Sequence, residues 1–108
     1  MELKISNILF DNSMKTWVKS NCDDTARRVG IRLLPKSIIQ PVGLLSQARL
    51  DSIEKSYIDK TTHKLPPINV KNYKLENGTP TQYYIILDGR HRVVKALYHN
   101  LLSIRVNT

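Results

Sequence analysis

Tyr83-Tyr84-Ile85-Ile86-Leu87-Asp88-Gly89-Arg90-His91-Arg92-Val93-Val94-Lys95-Ala96-Leu97 changes its period halfway, and that change decides the fold. Its first five residues form a β-branched, aromatic and aliphatic run with no polar interruption. Such a run reads as a buried central strand. Asp88-Gly89 is a turn signal. Beyond it, Val93, Val94, Ala96, Leu97 and Leu101 recur at helical spacing and mark a buried helix face.

The neighbouring segments extend the pattern in both directions. Ser46 is an expected N-cap, followed at helical spacing by Leu50, Ile53 and Tyr57, with Asp51 and Lys55 as an i,i+4 pair. This helix is expected to end near Thr61, before Pro66-Pro67. Ile68-Asn69-Val70 alternates as a strand does, and Asn77-Gly78 is a turn between two strand-like runs, Val70–Leu75 and Tyr83–Leu87. Ser103-Ile104-Arg105-Val106 closes the chain as a short strand. From residue 46 the order is helix, strand, strand, helix, strand, which is a small α+β domain with a mixed sheet.

The first third is less legible. Asn12-Ser13 can cap a short helix carrying Met14, Trp17 and Val18, and Asp23-Asp24 can start another that runs through Arg28 and stops at Gly30. Ile31–Leu34 reads as a strand ended by Pro35, and Pro41 and Gly43 punctuate a loop.

The chain has 108 residues and is 41% hydrophobic, which suits one globular domain and argues against global disorder. A lone cysteine, Cys22, excludes an internal disulfide and a multi-cysteine zinc site, and favours a reducing, cytoplasmic or other intracellular setting. Met1-Glu2-Leu3-Lys4-Ile5 is not expected to begin a signal peptide, and no apolar run approaches the length needed to span a membrane. The net charge is +8 and the pI about 9.8, so anionic partners are expected. Between Thr25 and Leu50 the chain carries Arg27, Arg28, Arg32, Lys36 and Arg49 and no acid. That asymmetry suggests a basic face.

The Asp88-Gly89 turn has an electrostatic peculiarity. A helix N-terminus is its positive pole and exposes unpaired N–H groups. Here it carries Arg90, His91 and Arg92, with Lys95 one turn on. Each such cation costs roughly 0.3–1 kcal/mol when exposed, and Asp88 offsets about one of them. A phosphate on the free N–H groups would remove the imbalance, with Gly89 permitting close backbone approach. Arg90 and Arg92 offer bidentate donors and His91 a further one. Asp88 can hold a magnesium ion or act as a base.

The same turn, Tyr84 to Leu97, resembles the signature of the ParB/sulfiredoxin superfamily. The preceding helix with Ile53 and Ser56 near its end, the Pro67-Ile68-Asn69-Val70 strand and the closing Ser103–Val106 strand fit that resemblance. It covers roughly Leu45 to Thr108. It implies a ParB/sulfiredoxin-like domain over 31–108, with 1–30 as an N-terminal extension and the phosphate-binding strand-turn-helix near the C-terminus. It also implies an NTP, ATP or CTP, with Mg2+, at Gly89, Arg90, His91 and Arg92, and Asp88 and His91 as the catalytic pair. Sulfiredoxins read Gly-Cys-His-Arg here, with a nucleophilic cysteine. Arg90 stands in its place, which argues against sulfinic acid reduction. Chromosome-partitioning ParB proteins read Gly-Glu-Arg-Arg and continue into a DNA-binding helix-turn-helix. The free serine kinase branch reads Asp-Gly-His-His-Arg, one position away.

Three functions follow as expectations. The first is nucleotide-phosphate binding with NTP hydrolysis or phosphoryl transfer. The second is DNA binding or ParB-like nuclease activity, with Arg27, Arg28, Arg32, Lys36 and Arg49 on backbone phosphates and the Asp88-Gly89 turn binding or cutting one more. An aromatic content of 6% offers little for stacking on single strands. One of Tyr83 and Tyr84, which alternate faces, is nevertheless available to stack on a base. The third is a non-catalytic module that binds a protein partner.

Overall fold

The computed structural model describes residues 1–38 and 43–108; the expected loop residue Pro41 lies outside them. The elements are β1 (Glu2–Lys4), a 3-10 turn (Ile5–Asn7), β2 (Ile8–Phe10), α1 (Asn12–Asn21), α2 (Asp23–Val29), β3 (Arg32–Leu33), α3 (Gln47–Ile58), a second 3-10 turn (Thr62–Lys64), β4 (Ile68–Lys74), β5 (Pro80–Asp88), α4 (Arg90–Tyr98) and β6 (Ser103–Asn107). The protein is a single α+β domain with a six-stranded mixed sheet in the order β1-β6-β4-β5-β2-β3.

Residues 1–30 are not an extension. β1 pairs with β6, and β2 inserts beside β5, parallel to both β5 and β3. Ile5, Ile8, Phe10, Met14 and Val18 are all at most 1% exposed. They join Leu50, Ile68, Val70, Ile86, Val93, Val94, Leu97 and Val106 in one core. The division at residue 30 therefore fails: without β2 the sheet loses an interior strand. The short apolar run Ile8-Leu9-Phe10 carries too little periodicity to announce itself as a central strand.

Elsewhere the local chemistry explains the boundaries. Asp11, rather than Asn12 or Ser13, caps α1, accepting the Met14 N–H at 3.0 Å. Gly30 ends α2 at φ 80°, and Ser46 caps α3 as expected. α3 stops at Ile58, short of Thr61. Asn77 accepts the Thr79 N–H at 3.0 Å in an Asx turn beside Gly78 at φ 84°, which turns β4 into β5. β5 begins at Pro80, three residues ahead of the expected run. Leu101 is not on the buried face of α4. The helix ends at Tyr98, and Asn100 at φ 63° directs the Leu101 N–H back to the Ala96 carbonyl. This αL ending leaves Leu101 43% exposed. Leu87 was expected in a buried strand and is 59% exposed; the β4–β5 register shifts beside it. No helix among the described residues is long and apolar enough to cross a membrane.

The topology marks one end of the sheet. β2 and β5 are parallel neighbours. The chain leaves β2 through α1 and α2 towards β3, and leaves β5 through α4 towards β6 on the other side of β4. Connections that diverge from adjacent parallel strands open a crevice at the strands' carboxyl ends.

Candidate functional site

At that crevice three helices present their N-termini. Asp11 caps α1, Ser46 caps α3, and Gly89 begins α4 with no side-chain cap. The first bond within α4 runs from the Val93 N–H to the Gly89 carbonyl at 3.1 Å. The amides of Arg90, His91 and Arg92 thus precede any intrahelical acceptor.

The side chains of the turn tie the three N-termini together. Arg90 donates Nε–H to Asp11 Oδ2 at 2.6 Å and Nη2–H to the Gly43 carbonyl at 2.8 Å. Its side chain is 18% exposed and that of Asp11 7%. His91 Nε2 accepts the Ser46 N–H at 2.8 Å. A ring nitrogen that accepts carries no proton, so the neutral ring is protonated at Nδ1. Burial pushes the His91 pKa below the usual histidine value, and the Arg90 and Arg49 charges push it the same way; Asp11 and Asp88 oppose them. Arg92 donates to the Pro66 and Pro67 carbonyls and to Asp88 Oδ2 at 3.2 Å.

The cations that the sequence leaves unbalanced therefore have partners inside the protein. Asp11 is the acid that sequence reasoning missed. Its signal was a repeated grammar: Ile8-Leu9-Phe10-Asp11 and Ile85-Ile86-Leu87-Asp88 each end an apolar run with an aspartate before a helix. Gly89 also has a packing role that the sequence did not announce. At φ 119°, a Cβ on it would lie 2.4 Å from Ile68 Cγ2. The close approach that the structure shows at this glycine is to strand β4.

What remains open is a cleft of about 360 Å³ between α3 and the start of α4, lined by Arg49, Ser52, Ile53, Leu65, Pro66 and the run Leu87 to Arg92. Arg49 forms no ion pair among the described residues. It lines the same cleft as His91, and its charge bears on that ring. An anion in this cleft would meet the first turn of α4, whose amides have no acceptor among the described residues, and the Arg49 side chain. Asp88 is the cleft's one carboxylate among the described residues; its side chain is 69% exposed and shared with Arg92. No group of three metal-ligating side chains gathers among the described residues.

The five cations assigned to a nucleic-acid face have different surroundings. Arg27 pairs with Asp23 at 2.9 Å, and Arg28 donates to Thr25 Oγ1 at 3.2 Å. Arg32 lies over the Tyr83 ring, 5.1 Å from its centroid. Lys36 lines a separate cavity beside Phe10 and Pro35, and Arg49 lines the α4 cleft.

No family model, curated protein or solved structure matches this chain.

Proposed function

We propose that the protein binds a phosphate-bearing ligand, a nucleotide, in the cleft at the start of α4, as a ParB/sulfiredoxin-like domain would. One observation carries this: α4 alone of the three convergent helices has no side-chain cap, and its first turn, whose amides have no acceptor among the described residues, lines a cleft that also holds Arg49 and Ser52. Backbone N–H groups at a helix N-terminus, the positive pole of the helix and a nearby guanidinium are the elements of a phosphate site. The position at the carboxyl ends of adjacent parallel strands agrees.

In this arrangement the roles divide. The amides of Arg90, His91 and Arg92 and the side chains of Arg49 and Ser52 contact phosphate. The side chains of Arg90 and Arg92 position the turn, since each is held by internal acceptors. Magnesium is held by one or two carboxylates together with phosphate oxygens, and Asp88 is the residue available for it. Binding is what the cleft supports. Hydrolysis or phosphoryl transfer would require Asp88 to serve both metal and nucleophile, and His91 could act as a base only if its Nε2 released the Ser46 N–H.

The test is calorimetric titration of ATP, GTP, CTP and UTP, with and without magnesium, into wild type and Arg49→Ala. Saturable binding that weakens at least tenfold in the variant supports the site. Absence of binding to every nucleotide rejects it.

A further inference from the structure

The sheet ends on β1, whose outer edge meets no other strand among the described residues. The hydrogen bonds between β1 and β6 show what that edge offers. The Val106 N–H donates to the Met1 carbonyl and the Ile5 N–H to the Leu102 carbonyl, both at 2.9 Å. Backbone groups along an antiparallel strand point alternately to one neighbour and to the other. Met1, Leu3 and Ile5 therefore turn theirs towards β6, and Glu2 and Lys4 turn theirs outwards. The side chains alternate as well. Leu3 is 8% exposed and belongs to the core, so Glu2 and Lys4 stand together on the opposite face, both exposed.

An open edge of this kind is a template for a further strand, and a lysine alone would blunt it. Here the signs alternate, and Glu2-Leu3-Lys4 is self-complementary. A two-fold axis through Leu3 sets Glu2 of each copy opposite Lys4 of the other. In that register the two residues also form a hydrogen-bonded pair, so their outward N–H and C=O groups meet. A slip of one residue sets outward groups against inward ones. A slip of two sets Glu2 against Glu2 or Lys4 against Lys4, and like charges directly opposite repel.

We infer that a second copy of this chain pairs here, β1 against β1 and antiparallel about Leu3, joining the two sheets into one. The contact is isologous and closes at a dimer. It also sets Met1 of each copy opposite Ile5 of the other, beside Leu102; Met1 is 68% and Leu102 66% exposed. The other edge of the sheet does not compete, because β3 consists of Arg32 and Leu33 and has no acid to answer the arginine. β1 is three residues long, so the contact is small and the association weak. None of its residues lines the α4 cleft, so the dimer stands or falls independently of phosphate binding.

The test is sedimentation equilibrium of the untagged chain over a concentration series to about 1 mM, with amide hydrogen exchange read by NMR at matched concentrations. Wild type is expected to pass from monomer to dimer. The Glu2 and Lys4 amides should exchange more slowly as concentration rises, while that of Leu3, already bonded to β6, stays constant. Glu2→Lys and Lys4→Glu each set like charges opposite one another and should weaken dimerisation about tenfold. Lys4→Glu lowers the net charge, so bulk repulsion alone would make it strengthen the dimer instead. The double variant Glu2→Lys/Lys4→Glu restores opposite signs and should return to within about threefold of wild type. Arg105 lies opposite Glu2 within the chain and meets the same substitution in the single and the double variant, so a strained fold does not mimic the rescue. Circular dichroism melts check that each variant is folded. The inference is overturned if wild type stays monomeric, assembles beyond a dimer, or dimerises with no change at the Glu2 and Lys4 amides. It is equally overturned if Lys4→Glu does not weaken the dimer, or if the double variant does no better than the single ones.

Discussion

Replacing Asp11 probes how the convergence of helix N-termini is held together. Its Oδ1 caps α1, and its Oδ2 takes the Arg90 Nε–H at 2.6 Å. Asp11→Ala removes both. Loss of an N-cap costs about 1 kcal/mol. Breaking a buried ion pair by removing one partner costs about 3–5 kcal/mol. Arg90 keeps the Gly43 carbonyl and is 18% exposed, which lowers that figure to about 2–3 kcal/mol. The sum is about 3–4 kcal/mol, a fall in Tm of about 12–16 °C for a chain of this size. Asp11→Asn keeps an oxygen for the cap and loses only the charge, so it should cost about 1 kcal/mol less. Urea denaturation with parallel thermal melts measures both, and a cycle with Arg90→Met isolates the pair. If both Asp11 variants stay within about 0.5 kcal/mol of wild type, the pair does not hold the turn, and the structural role given to Arg90 is wrong.

The other predictions concern single contacts. Gly89→Ala puts a Cβ 2.4 Å from buried Ile68 at φ 119°. Overpacking of about 1–3 kcal/mol and backbone strain of at least about 1 kcal/mol should lower stability by about 3 kcal/mol in the same denaturation assay. His91, with a lowered pKa, favours the folded state when neutral. Its contribution is full above the unfolded histidine value and lost as pH falls through that value towards the lower folded one. Nitrogen-detected NMR should find the Nδ1–H tautomer and a midpoint below that of a free histidine. Glu54 takes hydrogen bonds from Lys95 and from His99 at 2.7 Å, and these hold its carboxyl below the usual range. That contribution is present above the unfolded carboxylate value and lost as pH falls through the lowered folded one. Glu54→Ala strands Lys95, whose side chain is 7% exposed, and should cost about 2–4 kcal/mol in urea denaturation, whereas Lys95→Met/Glu54→Ala should recover most of it.

The chain was legible from residue 46 onward because its signals are local. Ser46 announces a cap, Asn77-Gly78 a turn, and Asp88-Gly89 the change from period 2 to helical period. Those segments became α3, β4, β5, α4 and β6 in the expected order. The N-terminal third was opaque because its strands are short and its pairings distant. β2 has three residues and finds its place only by lying against β5. The electrostatic oddity of Arg90, His91 and Arg92 did locate an organised turn. Which acceptor each side chain meets was beyond a linear reading, because Asp11, Gly43 and Pro66 reach the turn through tertiary packing.

The central claim is that the uncapped start of α4 receives phosphate. Its most direct test is a two-dimensional NMR titration of the amide-labelled protein with ATP, with magnesium and without. The account predicts saturable shifts centred on the amides of Arg90, His91 and Arg92 and on the Arg49 side chain, lost in Arg49→Ala. Titration that leaves these amides unmoved, or moves them no more than exposed lysines elsewhere, contradicts it.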